Sequence, residues 1–402
     1  MRLCLISGEF PPLQGGVGDY TSELCNALAA AGVEAHVLTS LPEEIRGGGH
    51  EVDAAALVEG CVAQRVTRGW GWGCWRSIRD AQAAVQADIV HVQYQAAAYG
   101  MHPAINLLPL RWRLLGPQRP RLVTTFHDLR VPYLFPKAGP LRWGLVLGLA
   151  RWSDAVVVTN AADKERLAQS SVDAWLIPIG SNIRPQLPVG FDRDRQRAAW
   201  GIERDAFVVC HFGFMNARKG VDTLLRAARL LQTDMAGALN LRLLMIGGKV
   251  GSSDPTNLAY LSQVEGLVDQ LGLSSRVTWT GFLVPEEVSA SFAAADCCVL
   301  PYREGASFRH GTLMAALAHG MPIVTTAPSE FADHQPATDL EDGQDVLLVP
   351  PDDPKALAAA IARLAKTPEL LTKLGRSARK LSERFSWETI AEQHLEVYCG
   401  LA

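Results

Sequence analysis

Short apolar runs alternate with longer amphipathic stretches along this 402-residue chain, and the alternation occurs twice. Runs at 3–7, 35–39, 89–93, 122–126, 155–159 and 174–177 are brief and mainly apolar. Such runs predict strands buried on both faces of a parallel sheet. Helical periodicity lies between them, as at 20–31, closed by Gly32, and at 77–86. A polar, proline-containing stretch at 185–194, PQLPVGFDRD, reads as a linker. The pattern then restarts with strands at 208–212, 241–246, 277–280, 297–300, 323–325 and 346–349. Helices at 221–231, 258–271, 285–294, 313–318 and 354–366 separate those strands. The expectation is an α/β fold of two Rossmann-like doubly wound domains, 1–186 and 187–386. Ligands of such sheets sit beyond the strand C-termini, so two of them facing one another imply a central cleft.

Composition narrows the class. With 48% hydrophobic and 20% charged residues the chain can bury two cores, and its net charge of −4 names no partner. Eight cysteines show no CxxC pair and no histidine at metal-ligand spacing, which predicts reduced thiols in a cytoplasmic protein and no metal site. The start, MRLCLISGEF, reads as a first strand and not as a cleavable leader. No apolar run approaches the ~20 residues that span a bilayer; the run at 143–150 is short and flanked by Arg142 and Arg151.

Charge is uneven locally. Residues 61–152 hold twelve basic residues against three acidic ones, together with six of the ten tryptophans. Arginine with tryptophan suits an anionic membrane surface or a lipid-linked substrate, which would make the protein peripheral on the inner face of the membrane. A solvated basic face over buried tryptophans fits the same residues. Nucleic acid is not expected, because no recognition motif accompanies the basic residues.

The richest stretch for chemistry is 302–326, YREGASFRHGTLMAALAHGMPIVTT. It reads as strand end, loop, helix, turn and strand. Thr312 is placed to cap the helix start, while Gly320 and Pro322 end it. A helix N-terminus favours an anion, and Arg309 beside it is a forked donor suited to phosphate. Near the N-terminus Gly15, Gly16 and Gly18 lie too far past the first strand for a tight GxGxxG turn. The second strand ends in Thr39-Ser40, with no acid to hold a ribose diol, so dinucleotide chemistry is disfavoured. GxxxxGK[ST] is absent, which removes a P-loop nucleotidase. What remains is a flexible glycine turn whose backbone N–H groups approach a ligand.

Eleven segments in order resemble the family 4 glycosyltransferases of GT-B architecture. They are PPLQGGVGDYTSELCNALAAAGVEAHVLT, DIVHVQY, VTTFHD, VVVTNAADKERL, IPIGSNI, GFMNARKGVDTLLRAARLL, LLMIGG, VTWTGFL, FAAADCCVLPYREG, AALAHGMPIVTT and DGQDVLLVPPDD. The C-terminal FSWETIAEQHLEVY resembles the family's last helix, implying that 387–402 packs back on the first domain.

The resemblance implies transfer of a sugar, with retention, from a nucleotide-sugar co-substrate to an acceptor hydroxyl, and no further cofactor. The acceptor is open: a lipid-linked saccharide, a cell-surface glycan precursor or a small molecule. The donor is expected against Gly15 and Gly16 and, in the second domain, against Gly213, Asn216, Lys219, Glu304, Ser307, Arg309, Gly311 and Thr312. Lys219, before Gly220, matches the lysine that contacts the donor diphosphate, where a cation meets the charge of the leaving group. His127 matches the histidine that lines the reacting sugar, and Asp19 and Asp128 are the carboxylates of the acceptor side. His91 reads as structural, and Gln93 stands where relatives often have a second histidine.

Several positions depart from the family. Phe214 stands where an arginine is usual, leaving Arg218 or Arg309 to supply the missing cation. Two glutamates eight apart would fall at Ser307 and Ala315, so ribose recognition must differ or rest on Glu304. A double displacement needs a carboxylate under the anomeric carbon, for which only Asp19 or Asp128 offers itself; the alternative is front-face attack assisted by the donor phosphate. Two rival readings are a sugar-nucleotide epimerase of similar architecture and a non-catalytic sugar-nucleotide sensor or scaffold.

Overall fold

The strands cluster into two sheets, each built around its most hydrophobic strands. The computed structural model describes residues 1–11, 15–41, 55–58, 61–132, 139–234, 239–248, 255–328 and 339–401. The first sheet holds β1 (Arg2–Ser7), β2 (Glu34–Ser40), β3 (Ala55–Val58), β4 (Cys61–Thr67), β5 (Ile89–Tyr94), β6 (Arg121–Phe126), β7 (Ala155–Val158) and β8 (Trp175–Leu176). Its order is β3-β4-β2-β1-β5-β6-β7-β8, parallel except for β3, which runs antiparallel to β4. The second holds β9 (Phe207–Phe212), β10 (Leu241–Ile246), β11 (Val277–Trp279), β12 (Cys297–Leu300), β13 (Ile323–Thr326) and β14 (Leu347–Val349). Its order is β11-β10-β9-β12-β13-β14, parallel throughout.

Both sheets reverse strand order beside their first strand, between β1 and β5 and between β9 and β12. In open parallel sheets the loops leaving the strand C-termini at such a reversal make the binding crevice. The chain divides into two compact units, Met1–Asn182 with Ser386–Ala402, and Ile183–Phe385.

Alternation along β1 explains why its interior, Leu3 to Ile6, is apolar. Leu3 and Leu5 face one layer with Leu24, Val37, Trp387, Ile390 and Tyr398, whereas Cys4 and Ile6 face the other with Val90, Val92 and Trp112. Each fully buried Leu or Ile contributes roughly 1.5–3 kcal/mol. The last helix, Trp387–Cys399, therefore completes the core of the first unit. Ser386 caps it by accepting from the Thr389 N–H at 3.1 Å. All eight thiols are free, and only Cys399 is exposed.

Some elements differ from expectation. The β3–β4 pair was not anticipated, because Gln64 and Arg65 break the apolar run and Gly60 interrupts it. The linker reading of 185–194 extends too far: Asp192 accepts from the Arg195 N–H at 2.7 Å and starts the helix Arg193–Ala199. Ala104–Arg113 is helical despite Pro109, and Gly139–Trp152 forms a helix containing the short apolar run weighed as a membrane segment.

Candidate functional site

In the second unit the site grows out of the loop after β9. Gly213 has φ +114°, a conformation that L side chains rarely adopt. Asn216 accepts from the Arg218 N–H at 2.8 Å and donates to Asn257 at 3.2 Å, fixing the turn Ala217–Lys219. Gly220, at φ +63°, passes so close to the Pro301 carbonyl that a Cβ would lie 2.1 Å from it. These constraints fold Lys219 back over the loop. A Cβ built on Gly213 would lie 2.4 Å from Lys219 Nζ and 2.7 Å from Thr312 Cγ2. The ammonium thus meets the first turn of the helix Gly311–Ala318.

Burial lowers the Lys219 amine to about 8. Two imidazoles feel its charge. His211, on β9, donates through Nδ1 to the Val299 carbonyl at 3.0 Å, and its Nε2 is buried without a partner among the described residues. His310 stacks on Tyr302 with ring centroids 3.9 Å apart, and its Nδ1 is likewise buried and unpartnered. Burial first, and Lys219 second, push both imidazoles down to about 4, so both are neutral at pH 7. A buried cation beside a helix N-terminus favours an anion there, and the two neutral imidazoles add no charge against it.

The other expected donor residues are placed unequally. Thr312 does not cap the helix: His310 is the N-cap residue, without a side-chain cap, and the Thr312 hydroxyl pairs with the Tyr302 hydroxyl at 2.6 Å. Ser307 is buried and accepts from the Arg309 N–H at 3.3 Å, while the Arg309 guanidinium is exposed. Arg218 and Glu304 lie 3.5 Å apart on the surface, each more than half exposed, so they engage each other. Gly311 opens the helix. His211, Tyr302 and His310 were not singled out, because His211 reads as one letter of a strand and the Tyr302–His310 stack closes over eight residues.

In the first unit Gly15 is the N-cap of the helix Gly16–Ala30. Glu9 reaches across the glycine turn and accepts from the Val17 N–H at 3.0 Å, and a Cβ on Gly15 would lie 2.2 Å from its carboxyl carbon. The turn expected to offer free N–H groups thus has one already taken by a carboxylate of the chain. Asp19 follows in the first helical turn. Burial first, then Glu9 and Glu23, raises its carboxyl to about 6.

His127 leaves β6 and hydrogen-bonds through Nε2 to Gln93 Oε1 at 2.9 Å, with the Tyr20 ring edge-on at 4.7 Å. Asp128 is buried and accepts from the Arg130 N–H at 3.1 Å, closing its own turn. His91 is buried with both nitrogens engaged.

The basic, tryptophan-rich window divides in two. Trp70 and Trp112 belong to the core. Trp72 is half exposed and lies edge-on to Trp75, beside a cavity of about 400 Å³ lined also by Arg76, Arg79 and Arg111. Lys137 of that window lies outside the described residues. Among the described residues no helix is long and apolar enough to cross a membrane.

Known proteins share both halves. Residues 14–183 match the family model described as Glycosyltransferase Family 4, and residues 206–367 match that of Glycosyl transferases group 1. A D-inositol 3-phosphate glycosyltransferase of Streptomyces griseus is 31% identical over 99% of this chain and 88% of its own length. A GDP-mannose-dependent alpha-(1-6)-phosphatidylinositol monomannoside mannosyltransferase of Mycobacterium tuberculosis is 25% identical, covering 97% of this chain and 96% of its own. Among solved structures, sucrose-phosphate synthase from Thermosynechococcus elongatus is 25% identical and superposes with a TM-score of 0.72 over 100% of this chain and 99% of that one.

Proposed function

The chain belongs to the family 4 glycosyltransferases, enzymes of GT-B fold, and we propose that it transfers a sugar from a nucleoside-diphosphate sugar to an acceptor hydroxyl with retention of anomeric configuration. The observation that carries this reading is Lys219 lying against Gly213 and Thr312 at the start of the helix Gly311–Ala318. The leaving diphosphate gains charge as the glycosidic bond breaks. A cation and helix N–H groups aimed there stabilise the transition state more than the ground state. In the related positions Arg218 is paired with Glu304, which leaves Lys219 as the principal charge.

Retention requires either a nucleophilic carboxylate or same-face attack. Asp128 is committed to its turn, and burial, with Glu9 and Glu23 beside it, disfavours the charged form of Asp19 that a nucleophile needs, which favours same-face attack. In that route the acceptor oxygen bonds to the anomeric carbon as the carbon–phosphate oxygen bond breaks, and the acceptor proton passes to the departing phosphate. His127 lines the sugar, and no cofactor takes part.

The relatives' names, which include phosphatidylinositol mannoside and inositol phosphate, support a polyol or lipid-linked acceptor. Trp72, Trp75, Arg76, Arg79 and Arg111 fit an anionic membrane surface, the tryptophans at headgroup depth and the arginines against phosphate. A peripheral position on the inner face follows.

The test is calorimetric titration with UDP, GDP, ADP and dTDP, then with the sugars of whichever binds. At least one diphosphate should bind, and Lys219→Ala should abolish that binding; no binding of any nucleotide would sink the reading. Anomeric coupling constants of the product report retention. Flotation with anionic vesicles, weakened by salt and by Arg76→Glu with Arg79→Glu, reports the membrane contact.

A further inference from the structure

A chain of side-chain hydrogen bonds runs from His127 into the middle of the first sheet. His127 Nε2 lies 2.9 Å from Gln93 Oε1, and Gln93 Nε2 lies 3.3 Å from His91 Nε2. His91 Nδ1 lies 2.7 Å from the Tyr398 hydroxyl on the final helix, and Thr125 Oγ1 on β6 lies 2.7 Å from His91 Nε2. Gln93 and His91 are fully buried and stand two apart on β5, so they share a face of the sheet.

The amide gives this chain a direction. Imidazoles and hydroxyls adapt to either role, but an amide has one accepting end and one donating end. With its oxygen toward His127 and its nitrogen toward His91, His127 Nε2 must carry a hydrogen and His91 Nε2 must not. His91 Nδ1–H then donates to the Tyr398 oxygen, and the single lone pair of His91 Nε2 is shared between the Thr125 hydroxyl at 2.7 Å and the more distant Gln93 amide at 3.3 Å. Burial, with His394 nearby, pushes His127 down to about 3. The neighbouring rings keep the surroundings apolar: Tyr20 packs edge-on against both His127 and Trp387. A neutral imidazole with its hydrogen on Nε2 has a bare Nδ1.

We propose that Gln93 is a positioning residue that locks His127 as a hydrogen-bond acceptor at Nδ1, with Tyr398 anchoring the far end of the lock. The loop would then select a sugar hydroxyl that presents its proton, and refuse a group at that position that only accepts. This selection rests on the reading that His127 lines the reacting sugar. The tautomer itself does not, which allows the two to fail separately.

The experiment is a long-range ¹H–¹⁵N spectrum of the full chain labelled at histidine, with His127→Asn for assignment. The expected result is His127 protonated at Nε2 and bare at Nδ1, unchanged from pH 8 to pH 5. In Gln93→Met, of similar length but without the amide, the single tautomer should give way to a mixture. An Nδ1-protonated His127 in the native chain, or an unchanged tautomer in Gln93→Met, would overturn the proposal; neither readout needs turnover. Deoxyfluoro donors then test selection, since fluorine accepts but does not donate. One deoxyfluoro position should cost the native enzyme about three- to tenfold in kcat/KM. That cost should vanish in Gln93→Met; if it persists there, the selective role is wrong even though the tautomer stands.

Discussion

Lys219 Nζ occupies the space that a side chain at Gly213 would enter, with only 2.4 Å between the ammonium and a Cβ built there. The glycine is therefore required twice, once for its φ of +114° and once to make room for the cation. Gly213→Ala should strain the loop by ~1–3 kcal/mol and push Lys219 out of the cradle. Nucleoside-diphosphate affinity should fall at least about tenfold, approaching that of Lys219→Ala. Calorimetric titration checks this, and equal affinity in Gly213→Ala and the native chain would break the link between the two residues.

The pH dependence of diphosphate binding should carry a basic limb near pH 8. Burial depresses Lys219 to about 8, below its ordinary range, and the diphosphate favours the charged form. Affinity should thus be full below pH 8 and decline by up to about tenfold per pH unit above it. His211 and His310, at about 4, stay neutral across this window and add no limb between pH 6 and 8. Lys219→Arg, always charged, should flatten the profile. A limb that survives in Lys219→Arg would belong to another group.

Glu9 makes a separate prediction at the other glycine turn. It holds the Val17 N–H and, after burial, contributes most to raising the Asp19 carboxyl. In Glu9→Gln, Asp19 should titrate below 6 yet above its ordinary range, because burial remains. Glu9→Ala should cost ~0.5–2 kcal/mol of stability through the lost cap. The Asp19 contribution has the opposite sign from the usual carboxylate: its folded pKa is raised, so stability from this group is present at low pH and lost as pH rises through about 6. Glu9→Gln should shrink that loss. An Asp19 titration unchanged in Glu9→Gln would show that the two carboxyls do not interact.

The doubly wound architecture was legible because β1, β5, β9 and β12 are buried on both faces and are therefore mainly apolar, with His91, Gln93 and His211 as hydrogen-bonded exceptions. Lys219 was legible because a lysine before a glycine at a helix start has a recognisable spacing. β4 was not, since four of its seven positions are only partly buried and Gln64 and Arg65 are among them. The cap on the helix Gly16–Ala30 escaped for a different reason: Glu9 sits on the far side of the glycine turn, so its role exists only once the chain has folded. Thr312 was misread because the local rule for caps competes with a tertiary partner, the Tyr302 hydroxyl. Gln93 was legible only as standing where relatives often have a second histidine, and its neighbours, His91 on β5 and His127 just past β6, reveal the direction it imposes.

Phe214 offers the sharpest test of what this cradle lacks. Its ring is partly exposed and lies over Gly248, where a Cβ would be 3.1 Å from the ring edge. It follows Gly213, so a cation at this position would stand beside Lys219. Phe214→Arg should raise diphosphate affinity by about tenfold, the yield of one charge-assisted hydrogen bond of ~1.5 kcal/mol. It should also steepen the salt dependence of binding. The second cation disfavours protonation of the first, so the basic limb should move below pH 8 in the same variant. Affinity and limb must move together if Phe214 faces the site. A gain in affinity with an unmoved limb would place the new guanidinium out of reach of Lys219, and no gain at all would place it outside the cradle.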